Sequence, residues 1–155
     1  ERRRAAMKTF TKEELIERVT EAIASCTGTL ITVDRAGFPR ARVLEDHNPY
    51  EGFTFWFATH VHTRKIAEIE GHPGVCIMYQ PPSVAGYICI MGTAQIRTDE
   101  EARRFIWREE WAKYYEGPMA SDYVPIQVIP SRIEFYDANI GAHAEEGFGP
   151  LVVEL

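Results

Sequence analysis

The sequence contains no apolar run approaching the ~20 residues that a membrane helix needs, and it shows no signal-peptide pattern. Basic charge is not in surplus either: 17 Lys and Arg face 23 Asp and Glu, a formal net charge of −6. A general nucleic-acid binder carries a basic stripe, so neither a membrane nor nucleic acid is expected as a partner. Cysteine is sparse, with Cys26, Cys76 and Cys89 set singly among apolar residues. That odd number predicts reduced thiols in a cytoplasmic protein rather than a disulfide framework. No Cys-x-x-Cys, His-Glu-x-x-His, Gly-x-Ser-x-Gly, P-loop or Gly-x-Gly-x-x-Gly occurs. The commonest zinc, nucleophile-elbow and nucleotide-loop chemistries are therefore without a motif. Internal repeats and low-complexity segments are also absent.

What is present fits one globular domain over 1–155, 45% hydrophobic and 26% charged. Residues 1–10 read as a flexible end, with Glu1–Ala6 frayed and a natural start at Met7 or upstream. Thr11-Lys-Glu-Glu14 is a capping-box pattern before a helix over 12–25, whose Leu15, Val19, Ala22, Ile23 and Cys26 share a face. A β-branched strand over 29–33, a turn at Asp34–Gly37 and a strand over 39–45 predict a hairpin. On the returning strand Arg40, Arg42 and Leu44 share one face, and Ala41 and Val43 the other. Two arginines so placed repel each other unless solvent or an anion stands between them.

Further strands are predicted over 53–58, 75–79, 87–97 and 131–137, with Gly92 marking a bulge or a close approach. A short helix ends at Gly71, and Thr98-Asp-Glu-Glu101 reads as a second capping box. The helix it opens carries Phe105, Trp107, Trp111 and Tyr114, aromatics suited to a core or a subunit interface. The tail over 138–155 is left without a structural assignment. Six strands joined mostly by hairpins predict a mainly β (α+β) fold, a small six-stranded antiparallel barrel with flanking helices.

The most informative chemistry lies at Thr59–Lys65, where hydroxyls and two cations stand at a helix start. Aligned N–H groups and the helix dipole favour an anion there, and Arg64 and Lys65 add formal charge. A phosphate is the expected occupant. His60 and His62 form an H-x-H pair inside this turn. With no supporting ligand motif, no metal is expected.

Five segments then fall in a familiar order and spacing: Thr32–Leu44, Phe55–Thr59, Thr63-Arg-Lys65, Gly71–Met78 and Tyr87–Ala94. Together they make residues 12–137 resemble the FMN-binding split β-barrel proteins related to pyridoxamine 5′-phosphate oxidase, and most of all the short general-stress-protein type. The resemblance implies a split barrel that dimerises, with FMN in a cleft between subunits. It implies that Arg42, Val43 and Leu44 run beside the isoalloxazine ring and that Ala58 and Thr59 line the cofactor. Thr63, Arg64 and Lys65 match the element that grips the phosphate, and Tyr87 matches a polar cofactor contact.

The activity implied is an FMN-dependent oxidoreductase of unspecified donor and acceptor, with no catalytic acid or base assigned. A non-catalytic flavin, deazaflavin or haem binder on the same fold is the alternative, with His60, His62 and His143 available to haem. The tail from Ile140 has no arginine or lysine, and Glu45, Asp46 and His47 make the nearby mouth less cationic. Both departures argue against pyridoxamine phosphate itself as substrate.

Overall fold

Thr11 Oγ1 accepts the Glu14 N–H at 3.1 Å while the Glu14 carboxylate accepts the Thr11 N–H at 3.3 Å. This reciprocal cap starts helix α1 (Lys12–Ile23), which buries Leu15, Val19 and Ile23. The computed structural model describes residues 9–144 and 149–155; the predicted frayed end Glu1–Ala6 and the tail's Glu145 and Glu146 lie outside the described residues.

Strands β1 (Thr29–Val33) and β2 (Pro39–Val43) pair around Asp34, whose carboxylate accepts the Ala36 and Phe38 N–H groups at 2.9 Å each. Gly37 takes φ 88° in that turn, a conformation that only glycine adopts without strain. The second strand stops at Val43 rather than Glu45, because the chain turns away into a pinned loop. There Asp46 accepts the Tyr79 hydroxyl at 2.6 Å and the Asn48 N–H at 2.7 Å. Buried Asn48 then pairs like a strand residue with Trp56, accepting its N–H at 2.6 Å and donating to its carbonyl at 3.1 Å.

Strand β3 (Phe55–His60) begins two residues later than the alternation suggests, since Gly52 and Phe53 turn with φ 75° and 56°. It sends Phe55 and Phe57 into the main core and Trp56 and Ala58 into a second cluster. Helix α2 (Arg64–Gly71), β4 (Gly74–Tyr79) and β5 (Gly86–Ile96) follow as predicted.

The region after β5 corrects the sequence reading. Helix α3 (Glu100–Ile106) is capped by Asp99, not Thr98, and ends before the tryptophans. Asp99 accepts the Ala102 N–H at 3.0 Å and is gripped by Arg97 at 2.8 Å; that pairing first, then the cap, holds its carboxyl at about 2. A separate 3₁₀ segment, Glu109–Lys113, buries Trp111 against Tyr123, whereas Phe105 and Tyr114 remain exposed.

The last strand is also longer than predicted. β6 (Tyr123–Asp137) runs unbroken, and the unassigned tail supplies β7 (Leu151–Glu154). Among the described residues the sheet therefore has seven strands rather than six, all antiparallel, in the order β2-β1-β4-β5-β6-β3 with β7 added to β6. One edge of β6 meets β5 from Ile126 to Asp137, while the other meets β3 along its first half and β7 along its second. The path stays open between β2 and β3, which makes a split barrel with flanking helices.

The ladder between β5 and β6 shifts register between Met91 and Gly92, opposite Pro130. A Cβ on Gly92 would collide with the Ile129 carbonyl. Gly92→Ala is therefore expected to lose about 1–3 kcal/mol, read from the midpoint of urea unfolding. An unchanged midpoint would show that the bulge has room.

Candidate functional site

β2 turns Arg40 and Arg42 to the side of Thr32 and Leu30, their partners across the hairpin. Helix α2 covers that side and lowers Glu68 between the two guanidinium groups. The Glu68 side chain is only 7% exposed; Arg42 Nη2 donates to it at 2.9 Å, and Arg40 Nε stands 3.5 Å away. The Thr32 hydroxyl donates to the same carboxylate at 2.5 Å, and Arg42 Nη1 reaches Thr32 Oγ1 at 2.7 Å. Arg40 also pairs with Asp34 at 3.0 Å.

The anion between the arginines is thus a residue of the chain itself. Burial pushes the Glu68 carboxyl up, but the Thr32 hydroxyl and the two arginines outweigh it and leave the pKa below its usual value.

One helical turn earlier, Lys65 is buried, and its Nζ donates to Thr59 Oγ1 at 2.9 Å. Burial and then the Arg42 charge lower the Lys65 pKa, while Glu68 opposes them. The Thr59 and Thr63 hydroxyls lie 3.3 Å apart, and Thr63 donates to the His60 carbonyl at 3.0 Å. Thr63 is the N-cap of α2 but makes no side-chain cap bond. The Ile66 N–H is taken by the Thr63 carbonyl at 3.2 Å, which leaves the Arg64 and Lys65 N–H groups for another acceptor. Arg64 is exposed and has no ion-pair partner among the described residues. Beside it a cavity of about 500 Å³ runs along α2, lined by Arg35, Arg40, Arg64, Glu68 and His72 among others.

Arg42, Thr59, Thr63, Arg64 and Lys65 therefore gather around the start of α2. Leu44 lies one residue beyond β2 and packs on the main core, and Ala58 belongs to the second cluster beside Trp111. Val43 points to the opposite sheet face and is 66% exposed. Tyr87 stacks on Tyr136 at 6.1 Å, at the end of β6 remote from Val124, the partner of Thr59. A single chain does not bring Tyr87 to the other candidates.

His60 and His62 lie with ring centroids 5.2 Å apart, His60 Nδ1 accepting the His62 N–H at 3.2 Å. They share no third ligand in a metal-sized cluster among the described residues. Glu68 and Thr32 were not among the residues singled out from sequence. Glu68 follows Lys65 by three positions and precedes Ile69, which places it on the buried face of α2. That spacing was the available signal.

An open antiparallel split barrel with a helix start that lacks a side-chain cap is the class of protein that these features define. The family model described as pyridoxamine 5′-phosphate oxidase matches residues 14–137, and the chain belongs to that family. Among solved structures, General Stress Protein 26 from Bacillus anthracis str. Sterne is 25% identical, with a TM-score of 0.70 over 91% of this chain and 98% of that one. A pyridoxamine 5′-phosphate oxidase-related, FMN binding protein from Nostoc punctiforme PCC 73102 shares the fold at 13% identity and TM-score 0.63, covering 97% and 99%. An F420 reductase does so at 21% identity and TM-score 0.54, covering 72% and 91%. No curated protein sequence matches the chain.

Replacing Glu68 by Gln leaves Arg42 without its counter-charge. The expected loss at pH 7 is about 2–4 kcal/mol, less than for a fully buried pair because Arg40 is 40% exposed. The folded protein binds the Glu68 proton more weakly than the unfolded chain does. Its contribution is complete above the unfolded carboxyl pKa and disappears as pH falls through the lower folded one. Urea midpoints measured downward from roughly pH 5 should fall more steeply for the wild type than for Glu68→Gln. Parallel slopes would remove Glu68 from the acid response.

Proposed function

We propose that this chain is an FMN-binding flavoprotein, an oxidoreductase that holds the cofactor phosphate at the start of α2 and works as a homodimer. The observation that carries the reading is the Thr63 turn without a side-chain cap, with exposed Arg64 beside it that has no ion-pair partner among the described residues. A phosphate dianion takes charge-assisted donors, and a guanidinium offers two in one plane. Arg42 and Lys65 contribute differently. Their polar groups are already engaged by Glu68 and Thr59, so they set the position of β2 and α2 around the phosphate.

The remaining residues also fit a flavin. β2 is an edge strand, and its outer backbone N–H and C=O groups have no strand partner among the described residues. Such an edge can meet the polar rim of a planar ring, while Leu44 and Ala58 offer apolar surface. A bound flavin supplies two-electron chemistry; the chain's own residues bind it, orient it and limit its contact with water. The FMN-binding description of the Nostoc punctiforme protein supports this choice of cofactor. The F420 reductase makes a deazaflavin the rival occupant of the same fold.

Dimerisation is supported by the sheet's second face. Val43 lies exposed there, on the same side as Ile31 and half-buried Cys76, Met78, Cys89 and Met91. The core face of these strands is already filled by Leu30, Ile77 and Ile90. An apolar second face calls for cover, and a second copy would also bring Tyr87 towards a site that its own chain leaves distant.

The purified chain should release FMN on denaturation, identified by mass spectrometry; a deazaflavin or haem in its place sinks the FMN assignment. Arg64→Ala should cut bound flavin at least about tenfold, the cost of a charge-assisted contact, as read from the blue absorbance band. Full yellow colour in that variant removes the phosphate assignment. Val43→Glu should convert a dimer to a monomer in sedimentation velocity, and a wild-type monomer would refute the shared-site reading.

A further inference from the structure

Glu45 and His47 leave the end of β2 together, and Glu110 on the 3₁₀ segment comes to meet them. His47 Nε2 lies 3.2 Å from Glu45 Oε1 and 3.9 Å from Glu110 Oε1, and the three ligand atoms fall within 4.8 Å of one another. We propose that Glu45, His47 and Glu110 form a binding site for a divalent transition-metal ion of the zinc type.

The spacing suits an ion. Metal–ligand bonds of 2.0–2.1 Å in tetrahedral geometry set neighbouring ligand atoms about 3.3 Å apart. Of the three separations, Glu45 to His47 already has that value, Glu110 to His47 needs to close by about half an ångström, and the two carboxylate oxygens, within 4.8 Å of each other, close by side-chain rotation. Both glutamate side chains are more than half exposed, at 54% and 55%, so their rotamers can make that adjustment.

Charge points the same way. Two carboxylates converge on one imidazole, and among the described residues neither has a Lys or Arg within ion-pair distance. Two facing negative charges with no resident cation favour a bound one. One nitrogen and two oxygens form a borderline donor set, which suits zinc and its first-row neighbours better than a purely oxygen-seeking ion. Three protein ligands leave a fourth position for water or another small ligand.

The ligands also sit on supported backbone. His47 lies between Asp46, bonded to Tyr79, and Asn48, bonded on both sides to Trp56, while Glu110 precedes buried Trp111. The metal would tie the loop after β2 to the 3₁₀ segment, 63 positions later (110 − 47). Glu45 borders a pocket of about 140 Å³ that includes Ala58, Trp111, Tyr114 and Tyr115, so the ion would stand at the rim of an aromatic-walled space.

The test uses the full chain after chelator treatment, dialysed to equilibrium against Zn²⁺ alone, with Co²⁺ absorption reporting the donor set. The expected result is one equivalent of Zn²⁺ per chain. Binding should become roughly 100-fold weaker in His47→Ala and in Glu110→Gln and stay unchanged in His60→Ala. All three substitutions lie in partly or fully exposed side chains, and circular dichroism in chelator verifies that each variant is folded. Absence of a stoichiometric site in the wild type overturns the proposal. So does binding that survives in both His47→Ala and Glu110→Gln, or that His60→Ala abolishes. Neither flavin nor turnover enters the measurement, so its failure and that of the flavin reading are separable.

Discussion

The carboxylate of Glu68 fixes the relation between α2 and the β1–β2 hairpin. Removing a carboxylate from water costs several kcal/mol unless charge and hydrogen bonds replace the hydration. Here Arg42, Arg40 and Thr32 replace it, and they can do so only if α2 lies across the hairpin at one height and rotation. Lys65, three residues earlier on the helix, is then buried against Thr59 at the end of β3. That single arrangement leaves the next residue back, Arg64, outside. The helix start is aimed by a charge network that is complete without any ligand.

β6 acts as the spine that makes room for this arrangement. Its 15 residues connect two cores that would otherwise be unrelated. Val128, Ile133 and Phe135 join the main cluster, whereas Tyr123 closes the smaller one with Trp56, Ile106 and Trp111. A strand this long must bend to serve both, and the register shift opposite Gly92 provides the irregularity. Ser131 is the extra residue there, and Pro130 is tolerated because it adjoins this break in the ladder.

Local signals were readable from sequence where a residue's partner lies within a few positions. The Thr11–Glu14 cap, the Asp34–Gly37 turn and the alternation of β3 are all of that kind. The Thr98–Glu101 pattern misled by one residue because two candidate caps compete, and Arg97 engages the Asp99 carboxylate that accepts the Ala102 N–H. Aromatic bulk at Trp107 and Trp111 suggested a continuing helix, but burial against Tyr123 is reached by a break and a 3₁₀ turn instead. β7 could not be read from a glycine-rich tail whose strand exists only through pairing with the far half of β6. Glu68 was hidden for the same physical reason. Its partners are 26 and 36 positions away, and the helical spacing that sets it on the buried face, unlike the exposed Glu70, does not name them.

These observations divide the charged residues by what already occupies them. Arg42 and Lys65 look, by residue type, like the strongest anion ligands in the chain, yet the Arg42 Nη groups are held by Thr32 and Glu68, the Lys65 ammonium donates to Thr59, and both side chains are largely covered. Recruiting them fully to a phosphate would strip Glu68 or Thr59 of a partner in a poorly solvated place, which is costly. The Arg64 side chain and the backbone N–H groups of Arg64 and Lys65 carry no such penalty. A ligand phosphate would therefore draw mainly on the outer groups, while the inner ones supply a fixed positive field from behind. This division lets a chain with a net charge of −6 keep one firmly cationic spot. The positive groups are held by a carboxylate buried on the core side, and the helix start faces outward.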